Sequence, residues 1–307
     1  MYHENGLNQE DISKRLGLSR PQVSRCLKKA KDIGIVEIKV NTPLSRDYED
    51  LGERLKNALE LKQVRIARIE ENPEKKNDPA EAISISASSF LPELIKHSKY
   101  VGVGWGKTVY KTVLAMEFSK EKAVAIFVPL VGSMGMKAPY YQVNSIVDRL
   151  AEKFKSESIF INNPAFMADA RARDLAMSDK RFSSITQAWK EIGTAIVGLG
   201  AFFADPRYLE NELKKEVKDQ LIAADAVGDI LGQFFNKNGI ICKSDLEHEL
   251  LGMNIKYLRL IENVVCLSGG IEKVNGIIAA AKEHYFNILL TDDITASEIL
   301  RSLEDNE

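Results

Sequence analysis

The hydrophobic positions near the start of the chain predict two short helices joined by a tight turn. Ile12 and Leu16 lie four residues apart in the first helix, which we place around 9–16. Val23 and Leu27 repeat at the same spacing in the second helix. Because residues four apart share one face of a helix, these side chains can form a small common core.

The residues between and after the two helices support this prediction. Gly17 suits the left-handed conformation that often ends a helix. Ser19 and Gln22 have the spacing of a capping box, and Pro21 falls in the first turn, where proline is tolerated. The β-branched run IVEIKV at 35–40 predicts a short strand. Two helices followed by such a strand are typical of a winged helix-turn-helix.

The outer face of the second helix is basic. Seven Lys and Arg residues and no Asp or Glu lie within 14–31. In the major groove arginine can bond guanine and glutamine can bond adenine, while lysine and serine hold phosphates. A helical hairpin used only for packing would leave this acid-free face unexplained. We therefore predict a DNA-reading face made of Ser19, Arg20, Gln22, Ser24, Arg25 and Lys28.

After this head, the pattern changes to a linker and then to alternating strand-like and helix-like segments. Leu51, Leu55 and Leu59 form one stripe of an amphipathic helix within 43–60. The alternation beyond it predicts a mainly parallel sheet covered by helices on both faces. The predicted strands cover 64–69, 100–103, 124–129, 158–161, 194–199, 264–267 and 287–291. The predicted helices cover 81–97, 108–116, 142–155, 209–223, 273–284 and 295–303.

Composition and charge narrow the class of protein. At 307 residues, 45% of them hydrophobic, the chain has material for a small and a large domain, and we predict boundaries at 1–42, 43–60 and 61–307. The net charge is −2, yet residues 1–45 alone carry +3. Scattered cysteines, no secretory pattern and no membrane-length apolar run favour a cytoplasmic protein. No Cys/His cluster has the spacing of a metal site, and we predict no cofactor.

Four glycine-rich turns follow predicted strands and indicate a ligand pocket. They lie at 102–106, 132–135, 198–200 and 269–270, at the carboxyl ends where parallel sheets bind ligands. Glycine lets a ligand approach the backbone, and the amides at the start of the following helix favour an anion. Two of these turns are followed by a lysine, so a phosphate fits the pocket best.

Two nucleotide-binding motifs are excluded by their spacing. A P-loop needs a glycine where this chain has Val101, and the dinucleotide fingerprint G-x-G-x-x-G is replaced here by G-x-G-x-G. None of the four histidines has an obvious carboxylate or nucleophile partner in the sequence, so we assign no catalytic residue.

These motifs together resemble one family, the SorC family of bacterial transcriptional regulators. Its DNA-binding head is similar to the stretch GLNQEDISKRLGLSRPQVSRCLKKAKDIGIVEI. Its effector-binding domain is similar, in the same order, to VGVGWG, LVGSMG, VNSIVDRLAEKF, NNPAF, AVGDILGQFFNKNG and SGGIEKVNGIIAA. The resemblance implies an α/β protein with an N-terminal winged helix-turn-helix and a large Rossmann-like domain, resembling phosphosugar isomerases and CoA transferases. The family has an amphipathic helix before this stretch, and the resemblance predicts that this first helix is missing here because the sequence starts at its end.

The resemblance also implies an effector and the residues that hold it. The effector would be a phosphorylated sugar or a related metabolite. Many family members have Gly-Gly where this chain has Val131-Gly132, which predicts a narrower turn and a different ligand. By analogy, the effector-binding residues are Gly104, Trp105, Gly106, Lys107, Gly132, Ser133, Met134, Asn144, Asp229 and Lys273.

The predicted function is therefore a transcriptional regulator of carbohydrate metabolism. Its affinity for double-stranded operator DNA would depend on a phosphorylated sugar, and we expect a homodimer or homotetramer because each head reads one half-site. The alternative is a phosphosugar isomerase or transferase of the same fold, with Asp229 or Asp148 as its acid–base group. That alternative gives the DNA-binding head no purpose, so we predict a protein without enzymatic activity.

Overall fold

The computed structural model describes residues 2, 7–32, 43–69, 78–134, 142–202 and 213–305. Within the chain, residues 1–46 and residues 47–307 form two compact units. The predicted wing strand at 35–40 and the predicted loss of a first helix lie outside the described residues. Helix Pro43–Ala58 crosses the boundary between the two units, so the predicted domain limits at 42 and 60 stay a proposal.

The first unit contains the two predicted helices, α1 (Gln9–Leu16) and α2 (Arg20–Asp32). The Asn8 side chain caps α1 by accepting hydrogen bonds from two backbone amides of its first turn, and Gly17 ends the helix with a φ of 64°. Because only a residue tolerant of left-handed φ ends a helix in this way without strain, the predicted role of Gly17 is confirmed.

The small core of the helix pair is made of few side chains. Ile12 of α1 and Val23 of α2 are buried, with 5% and 3% of their surfaces exposed. Leu27 is half-buried, whereas Leu16, which we predicted to share this core, is 50% exposed at the end of α1. The described residues of the pair therefore bury one aliphatic side chain from each helix and leave most of α2 facing solvent.

The second unit is built on a parallel sheet. Its seven strands lie in the order β1-β9-β8-β5-β2-β3-β4, and each pair of neighbours is parallel. Every residue of the strand Ile288–Asp292 is buried, as expected for a sheet covered on both faces. These strands are β1 (Gln63–Ala67), β2 (Tyr100–Val103), β3 (Ile126–Pro129), β4 (Glu157–Ser158), β5 (Ile192–Gly198), β8 (Asn263–Leu267) and β9 (Ile288–Asp292).

Helices connect these strands, and all seven predicted strands and all six predicted helices have a counterpart. The α/β fold prediction is therefore confirmed. The helices Ala170–Ser178, Lys180–Lys190 and Leu246–Glu249 were not predicted. The second unit also contains two short 3-10 helices, Ile255–Leu260 and Ile271–Lys273. The helices are α3 (Pro43–Ala58), α4 (Pro79–Lys96), α5 (Lys107–Ala115), α6 (Val143–Lys153), α7 (Ala170–Ser178), α8 (Lys180–Lys190), α9 (Lys215–Ala223), α10 (Leu246–Glu249), α11 (Val274–Lys282) and α12 (Asp293–Glu304).

The direction in which strands are added to the sheet reverses between β2 and β5. From β2 the chain builds outward through β3 to β4, and from β5 it builds in the other direction through β8 to β9. In open α/β sheets such a reversal opens a crevice at the carboxyl ends of the two strands, and ligands bind there.

An antiparallel hairpin, β6 (Ala226–Ile230) and β7 (Gln233–Asn236), lies outside the main sheet and was not predicted. Its turn residues Leu231 and Gly232 have φ values of 56° and 75°. Both values are left-handed, which such a two-residue turn requires, but the usual signal is Asn-Gly. A leucine at the first position hides the turn in the sequence.

In the part of the chain that the structure describes, no helix is both long enough and apolar enough to cross a membrane. The same residues contain no cluster of three or more His, Cys, Asp or Glu side chains that could hold a metal ion.

Candidate functional site

A cavity of about 340 Å³ lies where the strand order reverses. It is bordered by the turns that follow β2, β5 and β8, which are neighbours in the sheet. Three of the four predicted glycine turns therefore converge on one space. Their glycines at the cavity wall are Gly106, Gly198, Gly200, Gly269 and Gly270.

Two helical segments begin at this cavity with a glycine in place of a capping side chain. Gly106 precedes α5 with a φ of 137°, and Gly270 precedes the 3-10 helix that leads into α11 with a φ of 113°. Both φ values are positive and favour glycine. Because glycine offers no side-chain acceptor, the first amides of α5 can bond water or an anion instead.

Lys107 lines the cavity beside a carboxylate that the sequence analysis missed. The Nζ atoms of Lys107 and Lys111 lie 3.0 Å and 2.7 Å from Oδ2 of Asp78. Burial raises the pKa of Asp78, but hydrogen bonds and charges from Lys111 and Lys107 outweigh it and lower the pKa to about 2. Asp78 is therefore ionised, and its other oxygen caps α4 by accepting from the Ala80 amide at 3.1 Å.

Asp229 brings a buried carboxylate to the cavity from the hairpin. Only 2% of the residue is exposed, and the Gly232 amide donates to its Oδ2 at 3.1 Å. Oδ1 is buried and has no hydrogen-bond partner in the described part of the chain. Burial raises the pKa of Asp229 to about 6, although the Gly232 hydrogen bond and the charge of Lys273 act in the opposite direction.

The hairpin is joined to the turn after β5 beside this carboxylate. Gly200 and Asp229 exchange two backbone hydrogen bonds, of 3.0 and 3.1 Å. A Cβ atom at Gly200 would lie 2.2 Å from Oδ1 of Asp229, which is far inside van der Waals contact. Only glycine therefore fits at this point of the cavity wall.

Lys273 follows the pair Gly269 and Gly270 by three residues and lies at the start of α11. It lines the cavity and is half-buried. Burial lowers the pKa of Lys273, and the negative charges of Glu272 and Asp229 offset only part of this decrease. The cavity thus combines two lysines with three carboxylates, and Asp229 is the most deeply buried of these charged groups.

Trp105 and Gly104 have different positions although they are adjacent. Trp105 is 4% exposed, belongs to the core and also lines the cavity. Gly104 does not line it. A Cβ atom at Gly104 would lie 2.7 Å from the Leu231 side chain, so this glycine makes room for the hairpin turn.

The four predicted effector residues that follow β3 are not brought to this cavity. Asn144 bonds the backbone of Ile161 with both ends of its amide, donating at 2.9 Å and accepting at 3.1 Å. A Cβ atom at Gly132 would lie 2.7 Å from the backbone of Asn163 and Pro164, so this turn faces another chain segment. The residues concerned are Gly132, Ser133, Met134 and Asn144, none of which lines the cavity.

The predicted DNA-reading residues share one solvent-exposed surface. All of them lie on α2 or at its start, and all are exposed: Ser19, Arg20, Gln22, Ser24, Arg25 and Lys28.

Three of these side chains already have hydrogen-bond partners within the head. Oε1 of Gln22 accepts hydrogen bonds from the Ser19 amide and the Ser19 hydroxyl, both at 2.8 Å. Nε of Arg25 donates to the Pro21 carbonyl at 3.3 Å. A bidentate contact with adenine uses both the oxygen and the nitrogen of a glutamine side chain. Gln22 would have to leave the cap to make that contact, whereas the guanidinium end of Arg25 can extend directly.

Comparison with known proteins assigns a family to the part of the chain that carries the cavity and to the part that carries α2. Residues 46–301 match the family described as "Putative sugar-binding domain", and residues 1–37 match "Winged helix-turn-helix DNA-binding". The chain is 27% identical over 303 residues to the deoxyribonucleoside regulator of Bacillus subtilis (strain 168), covering 99% of this chain and 96% of that protein. It is 27% identical over 306 residues to the sorbitol operon regulator of Klebsiella pneumoniae, covering 98% and 95%.

A solved structure supports the same grouping. The full-length sorbitol operon regulator SorC from Klebsiella pneumoniae matches with a TM-score of 0.78 at 26% identity, over 97% of this chain and 95% of that chain. These relatives are named as regulators, and the similarity extends over nearly their whole length. The regulator prediction is therefore confirmed, and the enzyme alternative is not favoured. The chain belongs to the SorC family of sugar-binding transcriptional regulators.

Proposed function

We propose that the protein binds operator DNA through α2 and that a phosphorylated sugar in the cavity changes its affinity for that DNA. A ligand alters DNA affinity only if it binds two arrangements of the protein unequally, and such coupling is typically about 1–3 kcal/mol. We further propose that the protein acts in the cytoplasm as a homodimer or homotetramer, so that two heads engage two half-sites.

The phosphate part of the proposal is supported by one side of the cavity. The first amides of α5, the ammonium group of Lys107 and the ammonium group of Lys273 border the same space. Amides at a helix start and a nearby lysine are a common combination for holding phosphate. Because Lys107 is already paired with Asp78, we expect Lys273 to supply most of the attraction.

The sugar part rests on the observation that carries the proposal: Oδ1 of Asp229 has no hydrogen-bond partner among the described residues. A buried polar atom without a partner costs about 1–3 kcal/mol, and more when it is charged. A sugar hydroxyl is a donor of the right kind to satisfy it. A ligand with a phosphate at one end and hydroxyls at the other would therefore match both sides of the cavity.

The enzyme alternative has little support in the geometry. Asp148, the second acid–base candidate, is exposed on α6 and does not line the cavity. Of the two acid–base candidates, only Asp229 therefore lies where it could exchange a proton with a bound sugar.

A thermal-shift panel tests the proposal. The full chain is mixed with ribose 5-phosphate, glucose 6-phosphate and sorbitol 6-phosphate, and separately with the three unphosphorylated parents. A specific binder stabilises the folded state by roughly 2.7 kcal/mol at about a hundredfold excess over Kd. We expect at least one phosphorylated sugar to raise Tm and its parent to have little effect. Equal stabilisation by parent and phosphate, or none by any phosphate, contradicts the proposal.

A further inference from the structure

The glycine turn after β8 is held in place by the start of α12. The Gly270 amide donates to Oγ1 of Thr295 at 2.7 Å and lies 3.2 Å from Oδ2 of Asp292. The Thr295 hydroxyl donates to the same carboxylate oxygen at 2.6 Å, and the Thr295 amide donates to Oδ1 at 2.9 Å. Asp292 and Thr295 are both buried. This network fixes a backbone segment that forms part of the cavity wall.

The turn rests directly on the carboxylate of Asp292. A Cβ atom at Gly269 would lie 2.2 Å from its Oδ2. No space therefore separates the turn from Asp292, and a shift of Gly269 or Gly270 must either move this carboxylate or break its hydrogen bonds.

The next residue, Asp293, contacts a different part of the second unit. Its Oδ1 accepts a hydrogen bond from the Ile69 amide, just after β1, at 3.1 Å. Its Oδ2 accepts from the hydroxyl of Tyr48, on α3, at 3.4 Å. Because Asp292 and Asp293 are adjacent in the backbone, the two sets of contacts are linked by a single peptide unit.

We propose that Asp292 is a positioning residue for the Gly269–Gly270 turn, and that Asp292 and Asp293 transmit movement of this turn to α3. Helix α3 contains the residues at which the first unit ends and the second begins. The inference rests on the proposed function only in that the effector contacts the turn. The link from the turn to α3 is a property of the protein without ligand and can be measured without one.

Hydrogen exchange of the full chain tests the link. The variants are Tyr48→Phe, which removes only the hydroxyl, Asp292→Asn, and the double variant; Asp219→Asn on the exposed face of α9 is the matched control. We expect several-fold faster exchange of the α3 amides in each single variant and no change in the control. Effects of residues that act through one another are not additive, so the double variant should exchange no faster than the more affected single variant.

Two results would overturn the link: unchanged α3 exchange in Asp292→Asn, or additive effects in the double variant. If Asp292→Asn does not fold, Thr295→Ala takes its place, because it removes the hydroxyl that bonds both Gly270 and Asp292.

A second arm separates this inference from the proposed function. The phosphorylated sugar that raises Tm is added to wild type and to Tyr48→Phe, and operator binding is measured. We expect equal stabilisation of both proteins but an operator response at least about fivefold smaller in Tyr48→Phe, the lower end of typical coupling. An equal operator response would overturn the inference. If no sugar phosphate binds, the proposed function fails and the exchange result alone decides the link.

Discussion

The DNA-reading face of α2 and the cavity of the second unit both depend on charged side chains, but they hold them in different surroundings. All six candidate DNA contacts are exposed, and they lie on or just before α2, where Val23 is buried. In the cavity, Asp229 is 2% exposed and is placed there by a hairpin, while Lys273 comes from a different strand-to-helix turn.

This difference determines how each surface can bind. Interactions between exposed charges are largely screened by salt beyond about 10 Å, so these side chains suit the many weak phosphate contacts of DNA. Buried charges are screened much less, and their pKa values move, as the value of about 6 for Asp229 illustrates. We therefore expect substitutions in the cavity to have larger and more pH-dependent effects than substitutions on α2.

The largest effect should follow Lys273→Ala. Loss of a partly buried charge that bonds phosphate removes about 1.5–3 kcal/mol, which corresponds to roughly 10- to 150-fold weaker sugar-phosphate binding. Calorimetric titration of the phosphorylated sugar that raises Tm measures this change. Lys282→Ala, which removes an exposed lysine from the same helix, is the matched control and should bind normally. Equal affinity in Lys273→Ala and Lys282→Ala would contradict the assignment.

A second effect should appear in the pH dependence of stability. Asp229 has a folded-state pKa of about 6, above its ordinary value of 3.8, because burial disfavours the charged form. Its contribution to stability is therefore fully present below pH 3.8 and is lost as pH rises through about 6. The loss is on the order of 3 kcal/mol, because a tenfold change in a dissociation constant corresponds to about 1.4 kcal/mol.

Asp229→Asn removes this titration. Above pH 6 the variant should have a higher free energy of unfolding than wild type, and the difference should shrink towards pH 3.8. Urea denaturation at several pH values measures it, with Asp219→Asn as the control for an exposed carboxylate. Identical pH profiles for Asp229→Asn and wild type would show that the carboxylate is not buried as described.

A smaller effect is expected from Arg25→Ala on the DNA-reading face. A single arginine that contacts a guanine contributes about 1–3 kcal/mol, so operator affinity should fall by roughly 5- to 150-fold while sugar-phosphate binding is unchanged. Fluorescence anisotropy with an operator duplex measures the change. Arg149→Ala, an exposed position on α6, serves as the control. Unchanged operator affinity at moderate salt would exclude Arg25 from the DNA interface.

The smallest effect should come from the helix cap of the head. Asn8→Ala removes the acceptor for the amides of Glu10 and Asp11 and should destabilise the head by about 1 kcal/mol. Hydrogen exchange of α1 should accelerate about fivefold, while peptides that line the cavity exchange as in wild type. An equal change in both regions would show that the two units do not respond separately.

The sequence predicted the elements of the fold better than their arrangement. The strands of a covered parallel sheet are largely apolar, and glycine-rich turns follow β2, β3, β5 and β8, so the strand segments were identifiable in the sequence. The order of strands is not encoded in any local pattern. The turn after β3 looks like the other glycine turns, yet β3 lies one strand beyond the reversal, and Gly132 faces Asn163 and Pro164 instead of the cavity.

The same limit explains what was missed within the cavity. Asp78 precedes a proline at a helix start, which is a recognisable cap, but its pairing with Lys107 joins residues 29 apart and depends on the fold. Asp229 and Lys273 were identified through resemblance, whereas the clash that requires glycine at Gly200 depends on the unpredicted hairpin.

The most direct test of the account is the ratio of operator affinities with and without the phosphorylated sugar that raises Tm, measured for wild type and Lys273→Ala. We predict that the sugar changes the operator affinity of wild type by at least about fivefold. In Lys273→Ala the ratio should be close to one, with unaltered affinity for DNA alone. The same ratio in both proteins would show that the cavity is not where the effector acts.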